Sequence, residues 1–210
     1  MRVRLGFSKQ GAQSFTSTLD LQKIWERTIR RADLKVKYSQ GFHPQPRIQI
    51  ANPLAVGFSG DAELVDVWLD DEPEMETIQA SLELQMPAGL ALKSVSKLLD
   101  EGRSLPAQVR FSDYRITFYE NMNIFPELSS TIQCHLERSS IPRERNKKSY
   151  DLRPLIQSME AIILDSGQPE IHMRLCTNPA QTGRPDEVME ELGFQLTDYR
   201  VTRAAIILAD

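Results

Sequence analysis

Ten consecutive residues, Tyr38-Ser39-Gln40-Gly41-Phe42-His43-Pro44-Gln45-Pro46-Arg47, gather two aromatic rings, an imidazole, hydroxyl and amide groups and a guanidinium. Phe42 and Tyr38 can stack a nucleobase, and Arg47 or Lys37 can take a phosphate. Ser39 and Gln40 add hydrogen-bonding groups. Gly41 permits a positive φ or a close backbone approach. The His43 imidazole is a candidate general acid or base, a role that requires a second group close to it in space. Asp151, Arg153 and Ser39 are the candidates for that group. The plainer reading is a surface histidine before proline, with Tyr38 packed under the loop. Catalysis is therefore open, with His43 the candidate, while binding through Lys37, Tyr38, Ser39, Gln40, Gly41, Phe42, His43 and Arg47 is the favoured role.

Two other segments carry polar groups in suggestive order. Asn178-Pro179-Ala180-Gln181-Thr182-Gly183-Arg184-Pro185 leads into a predicted helix. Its amides can hold an anion at the positive end of the dipole, with Arg184 beside them; an ordinary turn into a helix is the slightly favoured reading. Tyr150-Asp151-Leu152-Arg153-Pro154 offers an Asp–Arg pair that ties the chain between strands, with Arg153 also available to a partner. His135 and His172 fall in predicted regular elements and read as packed or exposed. Cys134 and Cys176 lie far apart with no CxxC or Cys/His cluster, so no metal site and no disulfide is expected. Both are expected to be buried, and Trp25 and Trp68 to anchor the core.

The loop must be held by regular elements, and the periodicities supply them. Val3, Leu5 and Phe7 alternate with Arg2, Arg4 and Gly6, the period-two pattern of a strand with one buried face. Leu19, Leu21, Ile24, Trp25, Thr28 and Ile29 recur at helical spacing behind Ser17 or Thr18 as cap. Two prolines in three residues make 40–46 a stiff loop between short strands at 36–39 and 47–51. A strand at 64–69, a helix at 74–86 and a strand at 90–98 complete the first half, and 100–106 reads as a linker. The second half repeats the order: a strand at 109–119, a helix at 125–137, a polar extended stretch at 141–151, a hairpin at 159–165 and 170–177, a helix at 185–192 and a strand at 199–208. Strand, helix, strands, helix, strand in each half predicts an α+β protein of two ferredoxin-like (split βαβ) lobes in tandem, 1–100 and 107–210.

Composition is that of an ordinary globular protein, with 40% hydrophobic and 26% charged residues and a net charge of −4. No apolar run is long enough to span a bilayer, and the N-terminus lacks the apolar core of a signal peptide, so a cytoplasmic protein without membrane contact is expected. Charge is unevenly placed. Residues 1–50 hold ten basic side chains against Asp20, Glu26 and Asp33, whereas 60–101 hold eleven acidic ones against Lys93 and Lys97. A second basic stretch comprises Arg138, Arg143, Arg145, Lys147, Lys148 and Arg153. A positive face for RNA phosphates is one reading, and mutual neutralisation of the two regions is the other.

The N-terminal basic strand, Leu19-Asp20-Leu21, Arg30-Arg31-Ala32 and above all Tyr38 to Pro46 resemble the radical-SAM-linked protein family, the bacterial domain DUF2344. Tyr150-Asp151-Leu152-Arg153-Pro154-Leu155, and Gly183-Arg184-Pro185-Asp186-Glu187-Val188 with Leu192-Gly193, extend the resemblance over nearly the whole chain. The resemblance implies a domain fused to, or encoded beside, cobalamin-binding-type radical-SAM proteins, with genes near those of ribonuclease G and ribosomal proteins. It therefore implies an RNA-binding or substrate-presenting accessory to a radical-SAM partner in RNA- or ribosome-linked modification. This chain has no CxxxCxxC motif and cannot itself ligate that partner's cluster; no cofactor of its own is expected. An RNA-acting enzyme using His43, and a protein–protein adaptor docking through the acidic 60–101 region, are the alternatives.

Overall fold

The computed structural model describes residues 1–99, 102–119, 125–145, 147–177 and 182–209. They form a mixed α+β chain of two compact units, Met1–Val109 and Arg110–Asp210. Among the described residues no helix is long and apolar enough to cross a membrane.

In the first unit β1 (Arg2–Lys9) is central. Its alternation places Val3, Leu5 and Phe7 in the core at 1% exposure or less. α1 (Thr18–Arg31) opens on Ser17, whose hydroxyl accepts from the Asp20 amide at 3.2 Å. Asp20 in its first turn and Arg30 and Arg31 in its last complement the helix dipole. α1 buries Leu21, Trp25, Thr28 and Ile29, and Trp25 meets Phe7 edge-to-face at 5.0 Å. β2 (Ile48–Ile50) and β3 (Ser59–Trp68) follow, then α2 (Met75–Gln85), which adds Ile78 and Leu82 to the same core, and β4 (Leu90–Leu98). The strands lie in the order β4-β1-β3-β2, and every neighbouring pair is antiparallel.

The expected strand at 36–39 is only a pair of isolated bridges, Val36 to Leu69 and Tyr38 to Pro46. The expected linker is also different. Asp100 and Glu101 lie outside the described residues, but Leu105–Gln108 form a single helical turn, α3. Leu105 is fully buried, and its amide donates to Gln49 Oε1 at 3.2 Å. Arg103 and Gln108 accept hydrogen bonds from Arg2 and Arg4, so this segment covers part of the sheet face that carries no other helix. Guanidiniums removed from water require such acceptors.

The second unit uses β5 (Val109–Phe118), α4 (Phe125–Glu137), β6 (Pro142–Arg145), β7 (Lys148–Asp151), β8 (Ile156–Ile163), β9 (Pro169–Cys176), α5 (Pro185–Glu191) and β10 (Tyr199–Leu208). Its main sheet has the order β10-β5-β9-β8. The polar stretch read as merely extended is a separate hairpin, β6 against β7, with Lys147 at φ 63° in its turn. α5 explains this pairing. Arg143 meets Glu190 and Glu191, Arg145 meets Glu187 at 2.5 Å, and Tyr150 donates to Glu187. Half of the second basic stretch, Arg138, Arg143 and Arg145, is thus paired with acidic side chains of its own unit. Cys134 is exposed and Cys176 half-buried, against the expectation that both are buried. Trp25 and Trp68 are both buried; Trp25 packs with the helix-facing core, and Trp68 lies on the opposite sheet face from Val67.

Candidate nucleic-acid interface

The loop after α1 is closed at its base by the end of β3. The Lys37 amide donates to Trp68 O at 2.7 Å, the Trp68 amide to Arg47 O at 3.1 Å, and the Arg47 amide to Lys37 O at 2.7 Å. One step outward the Ser39 amide donates to Gln45 O at 2.8 Å, and Ser39 Oγ accepts from the Gln45 amide at 2.9 Å. Pro44 and Pro46 cannot donate, so these few bonds and the fixed proline φ angles hold the loop. At the tip Gly41 has φ 128°, a conformation that disfavours any side chain, with open space around it.

The tip projects its aromatic groups. Phe42 is fully exposed and Tyr38 is 54% exposed, so Tyr38 does not pack under the loop. At full exposure the Phe42 ring adds nothing to the packing of the first unit. Lys37, Tyr38, Ser39, Gln40, Pro44, Arg47 and Asp70 line an open depression of about 770 Å³ at its base. Arg47 is half-buried, and its guanidinium lies 4.6 Å from the centre of the Trp68 ring. Arg2 reaches the same ring at 4.9 Å from the neighbouring strand on the other side. This stacking orients the Arg47 cation while leaving its edge available to a phosphate or base.

Eight of the ten predicted binding residues are therefore adjacent by chain and fold: Lys37, Tyr38, Ser39, Gln40, Gly41, Phe42, His43 and Arg47. The other two belong to the second unit and are engaged there. Arg153 donates to Leu136 O at 3.0 and 2.7 Å and to Ile156 O at 3.0 Å, closing the end of α4. Arg184 holds Asp186 through two bonds, at 3.1 and 2.7 Å. Residues 178–181 of the predicted anion-binding turn lie outside the described residues.

The catalytic reading of His43 gains no partner. His43 is exposed and makes no hydrogen bond or ion pair with the described residues. The Ser39 hydroxyl is engaged by the Gln45 amide. Asp151 accepts from the Ile141 amide at 2.8 Å and the Arg153 amide at 3.0 Å, and these bonds hold its carboxyl below the usual range.

The basic N-terminal strand also does something other than face a ligand. Arg2 and Arg4 both close on the fully buried carboxylate of Asp66, at 2.6 and 2.8 Å. Lys35 pairs with Asp71 and Lys97 with Glu72, so part of the acidic 60–101 region is neutralised within the unit.

The sequence reading passed over a polar grid on the second unit. Asp113 and Thr117 of β5 face Arg174 and Glu170 of β9, and His172, next to Arg115, faces Glu160 of β8. Glu170 joins His172 at 2.6 Å and accepts from Thr117 at 2.9 Å. The grid borders a depression of about 400 Å³. Strand alternation within each segment was visible beforehand, but the register that sets these side chains opposite one another was not.

Comparison with known proteins gives a family and no activity. No curated protein matches the chain. Among solved structures, a chain of a Cbf5–Nop10–Gar1 complex is similar at 7% identity with a TM-score of 0.49. That similarity covers 96% of this chain and 48% of the other, so the present chain spans about half of the other's length. The family model described as "Uncharacterized protein conserved in bacteria (DUF2344)" matches residues 2–185. With most of its length matched, the chain belongs to the bacterial DUF2344 family.

Proposed function

We propose that this protein is an RNA-binding accessory that presents single-stranded RNA to a radical-SAM enzyme acting in the cytoplasm. The observation that carries the RNA reading is the pinned loop, with Phe42 fully exposed near its tip, and with Tyr38 and the Arg47 that stacks on Trp68 lining the depression at its base. An exposed ring beside an oriented guanidinium suits an unpaired base and its phosphate, because every base offers a π-face. The association with a radical-SAM partner rests on the family resemblance. In that arrangement the cluster chemistry belongs to the partner, because this chain's two cysteines do not form a cluster motif. We further read each unit as a ferredoxin-like (split βαβ) sandwich. Strand orders of β4-β1-β3-β2 and β10-β5-β9-β8 around two helices apiece support that reading, with the β6–β7 hairpin an insertion in the second lobe.

The adaptor alternative is less supported, since Asp66, Asp71 and Glu72 are engaged by Arg2, Arg4, Lys35 and Lys97. The test is fluorescence anisotropy with a labelled single-stranded oligouridine at low salt. Stacking contributes about 1–3 kcal/mol per base, so Phe42→Ala is expected to weaken binding about 5- to 150-fold while leaving the fold unchanged. Absence of binding by the wild-type chain, or equal binding by Phe42→Ala, overturns the proposal.

A further inference from the structure

We infer that the exposed face of α1 is a second, phosphate-binding element of the same RNA site, a cationic ladder made by Lys23, Arg27, Arg30 and Arg31. The inference rests on the RNA reading and extends it to a surface outside the loop. Most other basic side chains of the first fifty residues are already engaged. Arg2 and Arg4 close on Asp66, Lys35 pairs with Asp71, and Arg47 stacks on Trp68. Lys9 is 1% exposed and donates to the carbonyls of Ser14 and Thr16. The four ladder residues differ. All are exposed, and none makes a side-chain hydrogen bond or ion pair with the described residues.

Helical geometry gathers them on one side. At about 100° per residue the four fall within roughly 100° of arc, opposite Leu21, Trp25, Thr28 and Ile29, which face the core. The steps Lys23 to Arg27 and Arg27 to Arg31 each advance about 6 Å along the axis, close to the spacing of successive phosphates on an extended strand. Four unneutralised cations on one face of a chain with net charge −4 create a local field that attracts a polyanion.

The ladder also leads to the loop. Leu69 donates to Met1 O at 2.8 Å and bridges Val36, and Asp70 donates to Lys35 O at 2.8 Å. These bonds bring the chain after α1 to the end of β3, where the loop base is pinned. Five residues separate Arg31 from Lys37, so at most about 20 Å of chain divides the last ladder cation from the loop. A single strand lying along α1 would carry a base to Tyr38 and Phe42.

The experiment measures oligouridine affinity as a function of salt for the wild-type chain, for Phe42→Ala and for the combined variant Lys23→Gln, Arg27→Gln, Arg30→Gln, Arg31→Gln. Single-strand contacts contribute a slope of about −0.7 each in log affinity against log salt. The combined variant is expected to flatten the slope by roughly 2–3 units, whereas Phe42→Ala lowers affinity at unchanged slope. The single variants Arg27→Gln and Arg31→Gln, each expected to flatten it by about 0.7, preserve the test if the combined variant fails to fold. A slope unchanged in the ladder variants, with Phe42→Ala still impaired, overturns the ladder and leaves the loop reading standing. No oligouridine binding by the wild-type chain removes both. Polyglutamate binding as tight as oligouridine overturns the ladder as an RNA element and points to an acidic protein.

Discussion

The two units arrange four main strands in the same sequential order, yet they treat the helix-free face of the sheet in opposite ways. In the first unit Arg4 of β1 sits directly across from Asp66 of β3. In the second, Asp113 of β5 sits directly across from Arg174 of β9, the same pair with the charges exchanged. The Asp66 carboxylate is fully buried, shared by two guanidiniums and partly roofed by the 103–108 segment. The Asp113 and Arg174 side chains remain 28% and 43% exposed beside an open polar depression. Topology thus supplies matching positions, and the covering chain decides whether an ion pair there is a buried structural tie or a solvated surface pair. A buried pair requires every partner in place, because the desolvation cost is large and only complete pairing offsets it.

The largest effect is expected where the contrast is sharpest. Asp66→Asn removes the carboxylate that Arg2 and Arg4 share in the covered site. It should destabilise the first unit by about 3–5 kcal/mol, measured by the urea midpoint with the fluorescence of Trp25 and Trp68, both in that unit, as the reporter. A loss below about 1 kcal/mol would erase the distinction between the two faces.

An intermediate effect is expected at the hairpin clamp of the second unit. Burial pushes the Glu187 carboxyl up, but hydrogen bonds from Arg145 and Tyr150 outweigh it and hold it below its ordinary value of 4.5. A carboxyl whose value is lowered by folding contributes stability that is fully present above its unfolded value and disappears as pH falls through the folded one. The β6–β7 hairpin should therefore loosen from α5 as pH drops below about 4.5, read as lower amide protection, relative to the intrinsic exchange rate at each pH, across the hairpin. Glu187→Gln should flatten that pH dependence and cost about 1–2 kcal/mol at neutral pH. Acid-insensitive protection in the wild-type chain would show that the clamp is not electrostatic.

The smallest effect belongs to the open face. A double-mutant cycle of Asp113→Ala and Arg174→Ala should return a coupling of about 0.2–1 kcal/mol that fades with salt. A salt-insensitive coupling of several kcal/mol would mean that this face is covered in solution, and the contrast with Asp66 would vanish.

Regular elements were the most legible part of this protein. The helix Phe125–Glu137 and the strand Tyr199–Leu208 have the limits their periodicities predict, and α1 begins at its Ser17 cap. These are local properties, written in the spacing of apolar residues and in one hydroxyl. The candidate loop was legible as well, because two prolines and a glycine leave few conformations open to it. What misled was charge. Arg2 and Arg27 are equally basic in the sequence, but Arg2 is consumed by a carboxylate sixty-four positions away, while Arg27 stays in water. Similarly, Arg143 and Arg145 read as a cationic stretch until Glu187, Glu190 and Glu191 of α5 are set against them.

By itself, then, the sequence determined which segments are strand or helix and which loop bears the aromatic and guanidinium groups, because those depend on neighbours a few residues away. Tertiary structure alone decided that Trp68 would stack Arg2 and Arg47, that the supposed linker would partly roof a buried ion cluster, and that the cations of α1 would pair with none of the described residues. Those outcomes depend on strand register and on which distant segment reaches a face, and both are set by packing the whole unit at once rather than by any local pattern.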